Sequence, residues 1–336
     1  MHFVPALDTY SCHLHADAWE ALPQAPWGLE EIARKARELA LHGLQSTDMK
    51  HFERYRDSQG VISTDAVLRL REIFQGLELS FELGTGGTDV EHLKDAARLA
   101  EALGAKVVRT FIGGGSWHNQ AETVERLRRA EASLRLLLPL LDELDLSIGV
   151  ENHQDVSTDE CLALINAVAS PRVGVCLDTG NQFGVLENAP EASMRLATCA
   201  VTLHVKDYHL LPVPAGGYVL VGAVPGTGCA AVRQTLAEVR KQAQAAGRSS
   251  IQANLECAVE YIPVTPARRG WRDDCRTAAR LVVEAVLPGG APSGEALATL
   301  AHMETLQKEH STEAALRFED EMLERGAAAM LQLLEG

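Results

Sequence analysis

Four short segments each end an apolar run with a side chain able to hold a metal ion: VENH at 150–153, CLDTGN at 176–181, TLHVKD at 202–207 and NLECAVE at 254–260. If these runs are parallel strands of one barrel, Glu151, Asp178, His204 and Glu256 converge at one open end and form a divalent-metal site. The residues before them, such as Ser147 to Val150 and Val173 to Leu177, are ones a chain buries, and an unpaired charge there costs several kcal/mol. Three carboxylates meeting at one place repel each other unless a cation neutralises them. An O,O,O,N ligand set suits manganese first, with magnesium, cobalt or zinc as alternatives, better than a soft metal. The competing reading is four separate salt bridges at strand ends.

A repeating α/β scaffold has to position these groups. Short β-like runs alternate with amphipathic stretches along most of the chain, the pattern of a parallel sheet with crossover helices. Strands are expected at Ala6 to His13, Gly43 to Thr47, Leu77 to Leu83, Lys106 to Ile112, Leu146 to Glu151, Val173 to Asp178, Val201 to Lys206 and Ile251 to Glu256. Helices are expected at Leu29 to Leu41, Val90 to Leu103, Ala121 to Leu144, Asp159 to Val168, Ala230 to Ala245 and Asp273 to Val286, with capping boxes at Thr88 to Glu91 and Ser157 to Glu160. Eight such strands within residues 1–288 imply an α/β fold, a closed (β/α)8 TIM barrel with its chemistry at the carboxyl ends of the strands.

Leu210 to Gly228 reads as a hairpin insertion, and Ala258 to Gly270, with Tyr261, Arg268 and Arg269, as a second long loop; such loops on the functional face cover or select substrate. Residues 289–336 form a linker and a helical C-terminal extension. The extension's stripe through Ala315, Phe318, Met322, Leu323, Ala327, Met330 and Leu334 must be buried, on the barrel or on a partner subunit and away from the metal, so a homo-oligomer is one arrangement considered.

The ordered set Glu-Asn-His at strand five, Asp-Thr-Gly-Asn at strand six, His-Val-Lys-Asp at strand seven and Glu at strand eight resembles the xylose isomerase-like sugar isomerase and epimerase superfamily of TIM barrels, over roughly residues 5–288. The resemblance implies that Glu151, Asp178, His204 and Glu256 bind one Mn, Mg or Co ion, and that two carboxylates of the set flank the substrate carbon and move protons. The chain differs at Asn181, where epimerases often carry the histidine of an Asp-x-x-His motif, and this leaves the particular reaction open.

A metal held by four protein ligands keeps positions open to the adjacent carbonyl and hydroxyl oxygens of a keto sugar, which favours an enediolate. Glu151 and Glu256, on strands five and eight, are the candidate acid and base. His153 shares the side of Glu151 and either meets a substrate oxygen or orients a ligand; Lys206 shares the side of His204 and either meets substrate or forms a buried ion pair, with Asp207 pointing away or pairing with it. Arg109 on strand four suits a bidentate contact with a substrate carboxylate, or is a core arginine satisfied by a neighbouring acid. Asn181, His13 and His118 complete the candidate substrate contacts, His13 having simple hydrogen bonding as its alternative. Gly226 to Gly228 could hold a phosphate at a helix start but has no basic neighbour closer than Arg233, which favours an unphosphorylated small-molecule sugar or sugar acid.

Four readings of function follow. The leading one is a metal-dependent isomerase or epimerase of a keto sugar. The rival is a lyase that decarboxylates a 3-oxo sugar acid or eliminates a group from a 3-oxo glycoside. Endonuclease chemistry and a noncatalytic barrel are the remaining alternatives. A net charge of −15, from 31 basic and 46 acidic residues, disfavours nucleic acid as a partner. Seven cysteines with no paired spacing favour a reducing cytoplasm, and no signal peptide or membrane-length apolar run is evident in the 336 residues.

Overall fold

Alternating apolar runs and amphipathic helices close into a barrel. The computed structural model of the protein describes residues 1–17, 26–113, 120–214, 216–257, 259–264, 275–287, 291–309 and 311–335. Strands β1 (His2–Asp8), β2 (Gly43–Ser46), β3 (Ser80–Gly84), β4 (Val107–Thr110), β5 (Ser147–Glu151), β6 (Val173–Asp178) and β7 (Ala200–Val205) pair in parallel in chain order, and β10 (Ser250–Leu255) closes the ring between β7 and β1. Between β7 and β10 the expected hairpin forms from β8 (Asp207–Pro212) and β9 (Tyr218–Ala223). The segment read as a second long loop supplies β11 (Tyr261–Val264), which pairs antiparallel with β9 and makes a three-stranded sheet beside the barrel.

The helices follow the same logic. α4 (Val90–Leu103) buries Leu93, Ala96, Ala97, Ala100 and Leu103 on one stripe and stops at Gly104, where φ is +82°. Its N-cap is Asp89, whose carboxylate accepts from His92 N, so a single side-chain cap one residue later replaces the capping box expected from Thr88 to Glu91, whose reciprocal half His92 does not supply. At α6 (Thr158–Val168) the expected box is present in both halves, through Ser157 and Glu160. The remaining crossovers include α2 (Leu29–Glu38), α3 (Thr64–Gly76), α5 (Gln120–Leu144), α7 (Ala189–Leu196) and α8 (Val232–Ala245).

Several strand limits differ from expectation, β4 for one ending at Thr110 and not at Ile112, and for β1 and β3 the local reason is plain. β1 starts at His2 and ends at Asp8, because the Asp8 carboxylate accepts from Tyr10 N at 2.7 Å and turns the chain into a 3-10 helix at Thr9–Cys12. β3 starts at Ser80 since Leu77 N still donates to Ile73 O of α3, and Glu78 takes φ +54° in the turn. A glycine is required where β3 ends: a Cβ on Gly84 would lie 2.0 Å from Ser46 O.

The C-terminal extension folds as α10 (Gly294–Glu309) and α11 (Thr312–Glu335), after α9 (Cys275–Val286). α11 lies over the seam between β10 and β1, with α8 on one flank and α2 on the other. Leu323, Ala327, Met330 and Leu333 join the main core, while Phe318 and Met322 join a smaller cluster with Met303 of α10 and Leu211 and Val221 of the hairpin. The apolar stripe is thus buried within the chain itself. It is not confined to the outside of the barrel, because Glu319 reaches the segment after β1 at the functional end. No described helix is long and apolar enough to cross a membrane.

Candidate metal centre and active site

Glu151, Asp178 and His204 stand at the last turns of β5, β6 and β7, and Glu256 stands one residue past β10; all four are buried. One ligand atom from each falls in a group whose members lie within 4.8 Å of one another. His204 Nδ1 is 2.6 Å from Glu256 Oε2, 3.4 Å from Glu151 Oε1 and 3.8 Å from Asp178 Oδ2.

Each ligand is held by its second atom. Asp178 Oδ1 accepts from the backbone N–H groups of Gly180 and Asn181 at 2.7 and 2.8 Å, which leaves Oδ2 toward the centre. The Asp-Thr-Gly turn is tight: a Cβ on Gly180 would lie 2.9 Å from the Tyr208 ring. Glu151 Oε1 accepts from Asn181 Nδ2 at 2.8 Å, and Oε2 pairs with the Arg109 guanidinium. His204 Nε2 meets Gln45 Oε1 at 2.6 Å, while Gln45 Nε2 donates to Glu82 Oε2 at 2.8 Å. With Nε2–H donating to Gln45, the Nδ1 lone pair faces the carboxylates. Glu256 Oε1 pairs with Lys206 Nζ at 2.5 Å.

Asp178 Oδ2, His204 Nδ1 and Glu256 Oε2 are buried and have no hydrogen-bond partner. Three orphaned ligand atoms aimed at one point, beside Glu151, fit a divalent cation. The electrostatics agree: burial pushes Asp178 up to about 6 despite Lys206, whereas the Arg109 guanidinium and His204 hold Glu151 well below the usual carboxylate range against the same burial.

A cavity of about 400 Å3 opens beside the cluster and is lined in part by Tyr10, His13, Arg109, His153, Asn181 and Lys206. His153 stacks on Phe111 with 4.5 Å between ring centres. Lys206 lies 3.4 Å from Asp178 Oδ2 and is the buried ion-pair partner of two ligands as well as a cavity residue. Asn181 links Glu151 to Lys206, whose Nζ is 3.5 Å from its Oδ1. Arg109 pairs with Glu151, and its Nη1 donates to Thr47 O and Thr85 O, both at 3.1 Å. His13 lines the cavity and is hydrogen-bonded to Tyr10 O at 2.8 Å. His118, Arg268 and Arg269 lie outside the described residues.

Asp207 turns away from Lys206 and accepts from the N–H groups of Tyr208, Gly226, Gly228 and Ala230. The glycine turn considered for phosphate is therefore filled by the chain's own carboxylate. Sequence reasoning missed Gln45 and Glu82, which orient His204, and Asp8, whose Oδ2 is buried 3.9 Å from His204 Nε2. It also missed Glu260, which accepts from Tyr10 Oη at 2.9 Å and Tyr208 Oη at 3.0 Å. The only signal for these was a lone polar residue inside an apolar run.

A model described as the xylose isomerase-like TIM barrel matches residues 82–281, from β3 into α9. The 3-oxo-isoapionate decarboxylase of Pectobacterium atrosepticum is 33% identical over 217 residues, which are 64% of this chain and 74% of that protein. Among solved structures, an IolI protein with a bound zinc atom aligns with a TM-score of 0.56 at 13% identity, covering 86% of this chain and 99% of that one. A D-psicose 3-epimerase from Clostridium cellulolyticum, solved with D-tagatose, aligns with a TM-score of 0.52 at 13% identity, covering 84% and 98%. With a closed eight-stranded barrel, a buried ligand cluster at its carboxyl end and a family match over more than half its length, this chain belongs to the xylose isomerase-like TIM barrel family.

Proposed function

We propose that the protein is a divalent-metal-dependent decarboxylase of a 3-oxo sugar acid. The observation that carries this reading is the 33% identity to a 3-oxo-isoapionate decarboxylase across 74% of that enzyme. A cation held by Glu151, Asp178, His204 and Glu256, manganese first on the chemistry of the donor set, supplies Lewis-acid polarisation of the carbonyl beside the departing carboxylate. Loss of carbon dioxide sends the electron pair of the broken C–C bond toward that carbonyl, and the carbon left behind takes up one proton. Lys206, at the edge of the cluster and 5.5 Å from the centre of the Tyr10 ring, is the cation that offsets developing negative charge, and the proton comes from solvent. Asn181 and Glu256 hold its ammonium, and His153 on Phe111 supports the opposite wall.

A keto-sugar isomerase or epimerase is the second reading, with Glu151 and Glu256 as acid and base on either side of His204. The epimerase among the structural neighbours favours it only at the level of fold. Against it, each of these carboxylates is paired with a cation, Arg109 or Lys206, which makes both poor proton acceptors. The reading includes a cytoplasmic location, supported by seven cysteines that are all free thiols, and a small-molecule substrate, with nucleic acid disfavoured by the net charge of −15.

The test is a panel of 3-oxo sugar acids and keto sugars incubated with manganese-loaded protein in heavy water. Decarboxylation releases carbon dioxide and leaves one deuterium at the former carboxyl-bearing carbon. Deuterium exchange with no loss of carbon from any acid in the panel would replace this reading with the isomerase.

A further inference from the structure

We propose that Glu319, on the C-terminal helix α11, is a positioning residue for one wall of the substrate cavity. Its side chain is fully buried. Oε1 accepts from Leu14 N at 2.8 Å, and Oε2 accepts from His15 N at 3.0 Å and contacts His15 Nδ1 at 2.6 Å. His13 Nδ1 lies 3.4 Å from Oε1 while also bonding Tyr10 O. A buried carboxylate is stable only where donors converge on it, and here Leu14 N, His15 N and the His15 ring all belong to the short segment that follows β1.

That segment builds the cavity. Tyr10 and His13 line it and stack with 4.9 Å between ring centres. The Tyr10 hydroxyl then donates to Glu260, which precedes β11, and the Tyr10 ring faces Lys206. Glu319 thus anchors one end of a chain of contacts, through residues 13–15 and Tyr10, to the strand that closes the other side of the mouth. Both ends of this contact, residues 13–15 and Glu319, lie outside the matched residues 82–281. The kinetic consequence rests on the decarboxylase reading; the ordering of the two segments does not.

The experiment compares Glu319→Gln and Glu319→Ala with Met330→Ala, a fully buried position farther along the same helix, all in metal-loaded full-length protein. Amide hydrogen exchange is followed in residues 9–17 and 259–264, and KM and kcat are measured on a 3-oxo sugar acid. Loss of the carboxylate should speed exchange about tenfold in 9–17, with a smaller rise in 259–264, and raise KM about tenfold with kcat changed less. Glu319→Gln keeps one acceptor and should fall between wild type and Glu319→Ala. Metal affinity should stay the same. Met330→Ala should lower the melting temperature without these local changes. Glu319 variants that match Met330→Ala in both segments, or that exchange faster while KM stays put, overturn the positioning role. If the wild type releases no carbon dioxide, the decarboxylase reading fails and the two exchange segments alone decide the role of Glu319.

Discussion

Arg109 is 3% exposed and makes no contact with bulk solvent that could replace its partners. Removing one member of a buried ion pair leaves the other uncompensated, so Arg109→Ala should destabilise the metal-free protein by about 3 to 5 kcal/mol. A divalent cation beside Glu151 restores part of the missing positive charge, and the loss should therefore shrink in manganese. Urea unfolding with and without the ion checks this, and an equal loss in both conditions would show that the guanidinium matters only for its bonds to Thr47 O and Thr85 O. Glu82 tests the layer below. Burial pushes its carboxyl up to about 7, even though Thr202, Gln45 and Asn254 all donate to it. The folded state then holds a proton that the unfolded state releases near 4.5. The stability this proton contributes is complete below pH 4.5 and is lost as pH rises toward about 7, by about 3 kcal/mol in all. Glu82→Gln should flatten that part of the stability profile and gain on wild type at pH 8; identical slopes in the two proteins would mean that Glu82 is ionised in the fold. The four residues of the buried cluster were legible as a group in the sequence because each ends an apolar run at matching places. Gln45 and Glu82 were not, since one polar residue inside GLQS or SFELG can face outward as easily as inward.

At the scale of elements, Asp207 shows how one side chain sets the geometry of an insertion. Its two oxygens accept from four backbone N–H groups that span the start of β8 and the turn after β9, so the hairpin is tied to its own base. Asp207→Ala leaves those donors unpaired and should cost about 2 to 4 kcal/mol, while Asp207→Asn keeps an acceptor and should cost about half as much. Thermal unfolding of both variants, with hydrogen exchange across residues 207–230, checks the order; equal losses would mean that packing alone holds the hairpin. The hairpin itself was readable from its glycines and prolines around Tyr218-Val219-Leu220-Val221. Its third strand, β11, was not, because Tyr261–Val264 has only four residues and a proline among them, and pairs only through contacts distant in sequence. Strand ends slipped where a side chain captured nearby backbone, as at Asp8, a competition that periodicity does not register.

For the whole molecule, the C-terminal helix decides whether the barrel is complete. Seven crossovers wrap the ring, and the seam where β10 returns to β1 would face solvent without α11. A close fit marks the spot: a Cβ on Gly326 would lie 2.3 Å from Cys257 Sγ. The helix was visible in the sequence as an amphipathic stripe, but amphipathicity says only that a face is covered. The slot it fills follows from the chain's return across the barrel, which no local pattern encodes. Phe318, Met322, Leu323, Met330 and Leu333 are each at most 9% exposed. Burying such side chains contributes about 1.5 to 3 kcal/mol apiece, so their sum, on the order of 10 kcal/mol, matches the entire stability of a typical domain. Truncation before Thr312 should therefore leave protein that binds a hydrophobic dye, aggregates and retains no manganese, rather than a folded barrel with altered oligomer mass. Circular dichroism melting, dye binding and size-exclusion chromatography of the truncated chain test this directly. A cooperative transition with native helix content would show that the seam can close by itself and that α11 serves the cavity through Glu319 alone.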